Sequence, residues 1–290
     1  MKLVLKFNLA FIGMFLLGLL VSGMVSYNLL QNNARDEIVQ NARIMMEAAL
    51  STRSYTSNQI RPLLETQMKY LFLPQSVPAY AAAEYFNDLR KKYPEYSYKE
   101  ATLNPTNPRD RATDWEADLV ARFRQEGQQG EIMGEREAST GRVLYLARPI
   151  QVKSEACLTC HSTVDAAPKT MIDYYGNANG FGWKLNEVVG AQIMSVPTAV
   201  PIQRAHDTFR VFMISLTLVF LFIFVALNLM LFFIVIRPVT HLSRLADQVS
   251  LGNLDVPDFV VRSKDEIGVL AESFSRMRKS LSKAMKMLEE

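Results

Sequence analysis

The chain has 290 residues, with 32 Lys and Arg against 29 Asp and Glu, for a formal net charge of +3. So even a balance excludes a dedicated nucleic-acid binder, which presents a clearly basic surface. Hydrophobic residues make up 49% of the chain, and they are concentrated in two blocks.

The first block, residues 7–27 (FNLAFIGMFLLGLLVSGMVSY), is uncharged and follows Lys2 and Lys6. About 20 apolar residues span a bilayer core. A signal peptide shares the basic start, but this apolar core is too long for one and no Ala-x-Ala-like site follows. Residues 1–30 are therefore expected to be an uncleaved anchor. From Asn32 to Thr66, Ile38, Ala42, Met45, Met46, Ala49 and Arg53 recur at three- and four-residue spacing, which predicts a long helix. Pro62 predicts a break in it.

A second helix fits residues 79–92, and Tyr96 to Tyr98 reads as a short strand. NPTNPRDRAT (104–113) is rich in turn formers and reads as a loop. Thr113 and Glu116 have the spacing of a capping box for a helix starting at Asp114, with Gly127 and Gly130 closing that region. ASTG (138–141) divides two extended runs, the pattern of a β-hairpin. After ACLTCH (156–161), a last strand is expected from Val188 to Val196.

The second block, residues 211–236, is also uncharged, and Asn228 within it is expected to face a partner helix rather than lipid. Lys2 and Lys6 flank the first block, and Arg237 and Arg244 follow the second. By the positive-inside rule both termini are expected in the cytoplasm. This predicts a two-pass inner-membrane protein, with residues 31–208 as one periplasmic domain and 209–236 as the second transmembrane helix.

Both cysteines of the chain, Cys157 and Cys160, lie in ACLTCH, with His161 directly after. Structural zinc wants four Cys or His ligands, and the domain adds only His206, at the membrane edge. A redox pair is a fairer rival, but it requires no histidine, and no βαβ pattern surrounds this one. Cys-x-x-Cys-His is the attachment signal for c-type haem. Each sulfur forms a thioether to one vinyl group, and the histidine binds iron through a ring nitrogen. The expected location outside the cytoplasm agrees, so one covalent haem c per chain is expected. Cys157 and Cys160 would attach it, and His161 would be the proximal ligand. The sixth position is open. Met46, Met45 and Met68 are candidates, with Met133 and Met171 behind them, although a methionine on an apolar stripe also serves as core filling. An empty or water-filled position would suit NO, CO or O2.

Past the second block, Leu242, Leu245 and Val249 align on one short segment. Ile267, Leu270, Phe274, Met277 and Leu281 form a coiled-coil seam on another. Neither segment buries enough alone, whereas a dimer of the pair makes a four-helix bundle. Pro238, Gly252 and Asp265-Glu266-Ile267-Gly268 make this stretch resemble a HAMP domain over residues 237–285, with 286–290 starting an output helix. The resemblance implies a homodimer through HAMP and the transmembrane helices.

RPLL, PQSVPAYAA, LRKKYPEYSYKEATLNPTNPRDRATDWE, GRVLYLARPIQV, CLTCHST and GFGWKLNEVVGAQIMSVP closely resemble the cyanobacterial-type haem-binding sensor family over roughly residues 33–204. The resemblance implies an α+β fold, a PAS-like sensor domain between two transmembrane helices, ahead of a helical HAMP coiled coil. It assigns Cys157 and Cys160 to thioethers and His161 to proximal ligation. The family pattern also allows a cysteine on the first long helix as distal ligand. This chain has none there, and Met45 or Met46 is the expected replacement.

The expected function is a membrane-bound haem-c sensor of redox state or a diatomic gas, relaying through HAMP to a partner in trans such as a cytoplasmic histidine kinase. The alternative is a membrane-anchored c-type electron carrier, for which a cytoplasmic relay has no use. No distal acid–base pair is evident, so no enzyme is expected.

Overall fold

A computed structural model describes residues 3–125, 130–253, 255–257 and 265–289. Lys2, Gly127 and part of the connector after Gly252, all used above, lie outside these residues. The chain divides into two compact units. One is Ser26–Phe209, and the other combines Met1–Val25 with Arg210–Glu290.

The helix predicted from residue 32 belongs to α1, Leu3–Tyr55. The break expected at Pro62 takes a different form. A π turn at Thr56–Ile60, in which the Arg61 N–H reaches Thr56 O, leads into α2, Arg61–Met68. Proline lacks a donor and its ring crowds the carbonyl four residues back. The widened turn relieves both without ending the helix. The chain continues through α3 (Pro78–Arg90), β1 (Ser97–Thr102) and α4 (Asp114–Gln125). The Thr113 N–H donates to Glu116 Oε2 at 2.8 Å, which is one arm of the expected capping box. The expected hairpin is β2 (Ile132–Ala138) and β3 (Gly141–Gln151). Two short helices that the sequence reading did not assign follow, α5 (Glu155–His161) and α6 (Lys169–Tyr175), before β4 (Val188–Pro197).

The four strands form one antiparallel sheet in the order β1-β4-β3-β2. Alternation along the strands sends side chains to two faces, and both are covered. On the first face, Tyr98, Leu144, Leu146, Met194 and Val196 meet Ile38, Ala42, Met46 and Ala49 of α1 and Ala82 and Phe86 of α3. The alanines let α1 approach closely. On the second face, Ala101, Ala147, Ala191 and Ile193 meet Leu119, Val120 and Phe123 of α4. Burial on both sides leaves only the two end residues of β4 partly exposed, which explains its near-continuous apolar sequence. At one end of the first face, Arg53 pairs with the buried Glu100. Tyr98 Oη donates to the same carboxylate at 2.8 Å, and Gln192 Nε2 donates to Tyr98 Oη at 3.2 Å. A charge buried there would be costly without these donors.

The other unit contains the two apolar blocks. They belong to two helices long and apolar enough to cross a membrane, with mean hydropathies of 2.2 and 3.1 in their most apolar windows. The second block lies on α7 (Ala199–Met230) and a second π turn, Leu231–Ile236. Pro238 follows at the start of α8 (Arg237–Ser250), as Pro62 follows the first π turn. Phe15 stacks on Phe220 at 5.2 Å between ring centroids. Leu245, Val249 and Val256 cluster with Phe274 of α9 (Glu266–Glu289). Asp265 Oδ1 accepts from the N–H groups of Ile267 and Gly268, both at 3.0 Å, and so caps α9. Leu270, Met277 and Leu281 of the expected seam are exposed.

The chain therefore has the mixed helix and antiparallel-sheet class expected, flanked by candidate membrane helices and followed by a helical HAMP region. Two predictions follow from the packing. Phe86→Ala should destabilise the sheet unit by about 3–5 kcal/mol. Met46→Leu, which keeps the volume, should cost less than about 1.5 kcal/mol. Urea unfolding of the whole chain, followed by Trp115 and Trp183 fluorescence, measures both. Burial beside Glu100 pushes the Asp110 carboxyl up to about 6, against the opposing pull of Arg109 and Lys99. The folded state therefore holds this proton more tightly than the unfolded chain. Its contribution to stability is complete below about pH 4 and is lost as pH rises through about 6. Asp110→Asn should gain stability relative to the parent across that window, read from urea midpoints at pH 4 and pH 7.

Candidate functional site

α5 is only seven residues long and begins at Ser154, whose Oγ accepts from the Ala156 N–H at 3.2 Å. Too short to be stable alone, it depends on its neighbours. Cys157, Cys160 and His161 stand three and four residues apart, so one side of this helix carries all three. Both cysteines are free. Cys157 is exposed. Cys160 borders an apolar cluster of Phe72, Ala167 and Met171, with Tyr175 and Phe181 beside it. Burial pushes the Cys160 thiol up, and Arg61 opposes this.

His161 is held from two sides. Its Nδ1 lies 2.8 Å from Gly180 O, with Thr106 Oγ1 at 3.4 Å. A carbonyl only accepts, so Nδ1 carries the proton and Nε2 keeps a free lone pair. The Trp183 ring stacks on the imidazole at 4.0 Å and 15°. Burial lowers the imidazole's affinity for a second proton, against the pull of Gly180.

The loop before β4 makes this arrangement. The Gly182 N–H donates to Ser162 O at 2.9 Å and the Trp183 N–H to His161 O at 3.1 Å, satisfying carbonyls at the end of α5. Asn104 clamps the same loop from the far side. Its Oδ1 accepts from the Gly180 N–H at 3.1 Å, and its Nδ2 donates to Phe181 O at 3.1 Å. Gly180 has φ +89°, and a Cβ there would run into Thr106 Oγ1 and come within 2.9 Å of Thr106 Cα. Asn104, Thr106, Gly180 and Trp183 were not assigned from sequence. Turn composition marked the loop that carries Asn104, but only the fold brings residue 104 to residue 180.

The methionines are spread widely. Met46 is fully buried in the core of the first sheet face, with Met45 packed against it. Met46 packs in the same cluster as Phe86, Leu146 and Met194. Met68 ends α2, and its carbonyl accepts from Thr170 Oγ1 at 3.2 Å. Met133 lies exposed on β2. Met171 shares the apolar cluster with Cys160. Among the described residues, no three His, Cys, Asp or Glu side chains converge as a metal cage, and His206 lies against Gln31 and Tyr27.

The donor set fits a covalently held haem. Two thiols on one helix face are free to form thioethers, aromatic and aliphatic side chains adjoin one of them, and the imidazole offers a free Nε2.

The family model Tll0287-like matches residues 31–197, and that of the HAMP domain matches residues 233–283. Among solved structures, the crystal structure of the cyanobacterial heme-protein Tll0287 is similar at TM-score 0.43 and 15% identity. The match covers 56% of this chain and 95% of that one. No curated protein matches.

The loop geometry predicts unequal glycine substitutions. Gly182, at φ +83°, has open space around its missing side chain. Gly182→Ala should cost about 1–2 kcal/mol from backbone strain alone. Gly180→Ala adds the clash with Thr106 and should cost at least about 1 kcal/mol more, while shifting the His161 ring signals in an NMR spectrum.

Proposed function

The chain belongs to the Tll0287-like family, and we propose that it is a membrane-bound haem-c sensor that detects redox state or a diatomic gas outside the cytoplasm. The observation that carries this reading is the held His161 on the α5 face with Cys157 and Cys160, in a chain that also has a HAMP domain. Cys157 and Cys160 would hold the haem as thioethers, and His161 would bind its iron through Nε2. When bound, the haem supplies a one-electron couple and an iron able to take NO, CO or O2.

The protein's own residues orient and shield. Gly180 O keeps the Nδ1 proton and so leaves Nε2 as the ligating atom. Trp183 blocks one face of the ring, and the Phe72–Met171 cluster excludes water beside Cys160. Met46, Met45 and Met68 remain the candidate sixth ligands, and Met171, which shares the apolar cluster with Cys160, joins them. HAMP relays a change to a signalling protein such as a histidine kinase. The exposed Leu270, Met277 and Leu281 suit a parallel homodimer, in which a second chain covers them.

Two measurements test this. The full chain, matured with haem and then denatured on a gel, should stain for haem. The Cys157→Ser, Cys160→Ser variant should not, and retained stain would refute covalent attachment. Leu270→Cys protein in membranes should change its bismaleimide cross-linking at least about twofold on haem reduction or CO addition. Unaltered cross-linking in both conditions would sink the relay and favour an electron carrier.

A further inference from the structure

α4 covers only part of the second sheet face. Beyond it, the same face floors a groove of about 610 Å³, lined within the sheet unit by β1, β3, β4, the β2–β3 hairpin, the loop before α4, and α3 with the turn that follows it. The volume is in the range of small-molecule sites. The space exists because the floor is small: Ser97 and Ser195 pair directly across β1 and β4, with Val143 beside them.

Most charges in the groove already have partners. Lys99 Nζ donates to Glu116 Oε2 at 2.6 Å and to Arg111 O at 2.8 Å. Arg109 pairs with Glu84, and Glu137 pairs with Arg142 at 3.0 Å. Arg90 and Glu95 lie on the α3 side of the groove, Arg90 exposed, and two further charged groups, Arg136 and Asp110, are held by specific contacts without a hydrogen-bonding partner of opposite charge. Arg136 stands over the Trp115 ring at 4.2 Å and has no acidic partner among the described residues. Asp110, three-quarters buried, has only Arg109 Nε at 3.7 Å, too far for a hydrogen bond.

The geometry points to a second ligand site: the groove binds a small zwitterion, its carboxylate on Arg136 and its ammonium on Asp110. A guanidinium backed by an aromatic ring is weakly hydrated and keeps its donors for a carboxylate. A largely buried carboxyl without a donor gains most from a charged one. A simple anion would meet Asp110 and Glu116, and a simple cation would meet Arg136 and Arg109. A molecule with both charges answers Arg136 and Asp110 together. The raised affinity of Asp110 for a proton agrees, since an ammonium would restore its ionised form. The loop that carries Arg109 and Asp110 to the groove also carries Asn104 and Thr106 to His161. The site is therefore one loop away from the motif but does not depend on haem.

Calorimetric titration of the full chain in detergent tests this with L-alanine and 4-aminobutyrate as zwitterions of two lengths, and acetate and methylammonium as half-ligands. At least one zwitterion should bind, and neither half-ligand should match it within about tenfold. Arg136→Ala and Asp110→Asn should each weaken binding about tenfold or more, with unfolding midpoints confirming that they fold. Arg122→Ala, exposed on α4, should bind as the parent does. If neither zwitterion binds, if a half-ligand binds as well, or if both groove variants bind normally, the site is not what is described here.

Discussion

Burial of β4 on both faces is the constraint on which the rest of the sheet unit depends. A strand so placed must satisfy every backbone group through neighbouring strands, and β1 and β3 do this on its two edges. A slip of one residue would exchange Met194 and Val196 with Ile193 and Ser195, turning each set toward the wrong helix. The register is therefore closely fixed. So are the two ends of the strand, which the chain uses differently: the loop before β4 holds the motif, and the segment after it enters α7.

The motif helix takes its order from that loop. Seven residues cannot sustain a helix in water, so α5 depends on the Gly182 and Trp183 backbone donors and on the Ser154 cap. The same loop fixes which imidazole nitrogen is available, through Gly180 O. Asn104 joins it to the loop that follows β1, so that sheet, strap and imidazole form one connected set of hydrogen bonds. In the proposed role, a ligand nitrogen held this way would need little reorganisation on binding. The proposed groove shares the loop after β1, which gives a physical reason for two inputs to meet in one domain.

The two π turns show a common response to proline within helical segments. Each lies just before an Arg-Pro pair, Arg61-Pro62 and Arg237-Pro238. Widening the turn accommodates the missing donor and the ring while the helix continues. In α9, by contrast, the start is set by an acidic cap, Asp265. The seam residues Leu270, Met277 and Leu281 are exposed, the surface that the proposed homodimer would cover.

Local chemistry alone made much of this chain legible. Apolar run length marked the two candidate membrane helices, period-two alternation and turn residues marked the hairpin, and Pro238, Gly252 and Asp265 marked HAMP. Cys157, Cys160 and His161 stood out in the sequence because the proposed thioether attachment and imidazole ligation require that spacing on one helical turn. What a methionine does was not readable, since Met46 and Met171 differ only in which surfaces the fold brings against them. The same holds for Asn104 and Gly180, which are 76 residues apart along the chain, and for Arg136 and Asp110. Partnership of that kind is decided by strand register and loop closure, which exist only once both faces of β4 are buried.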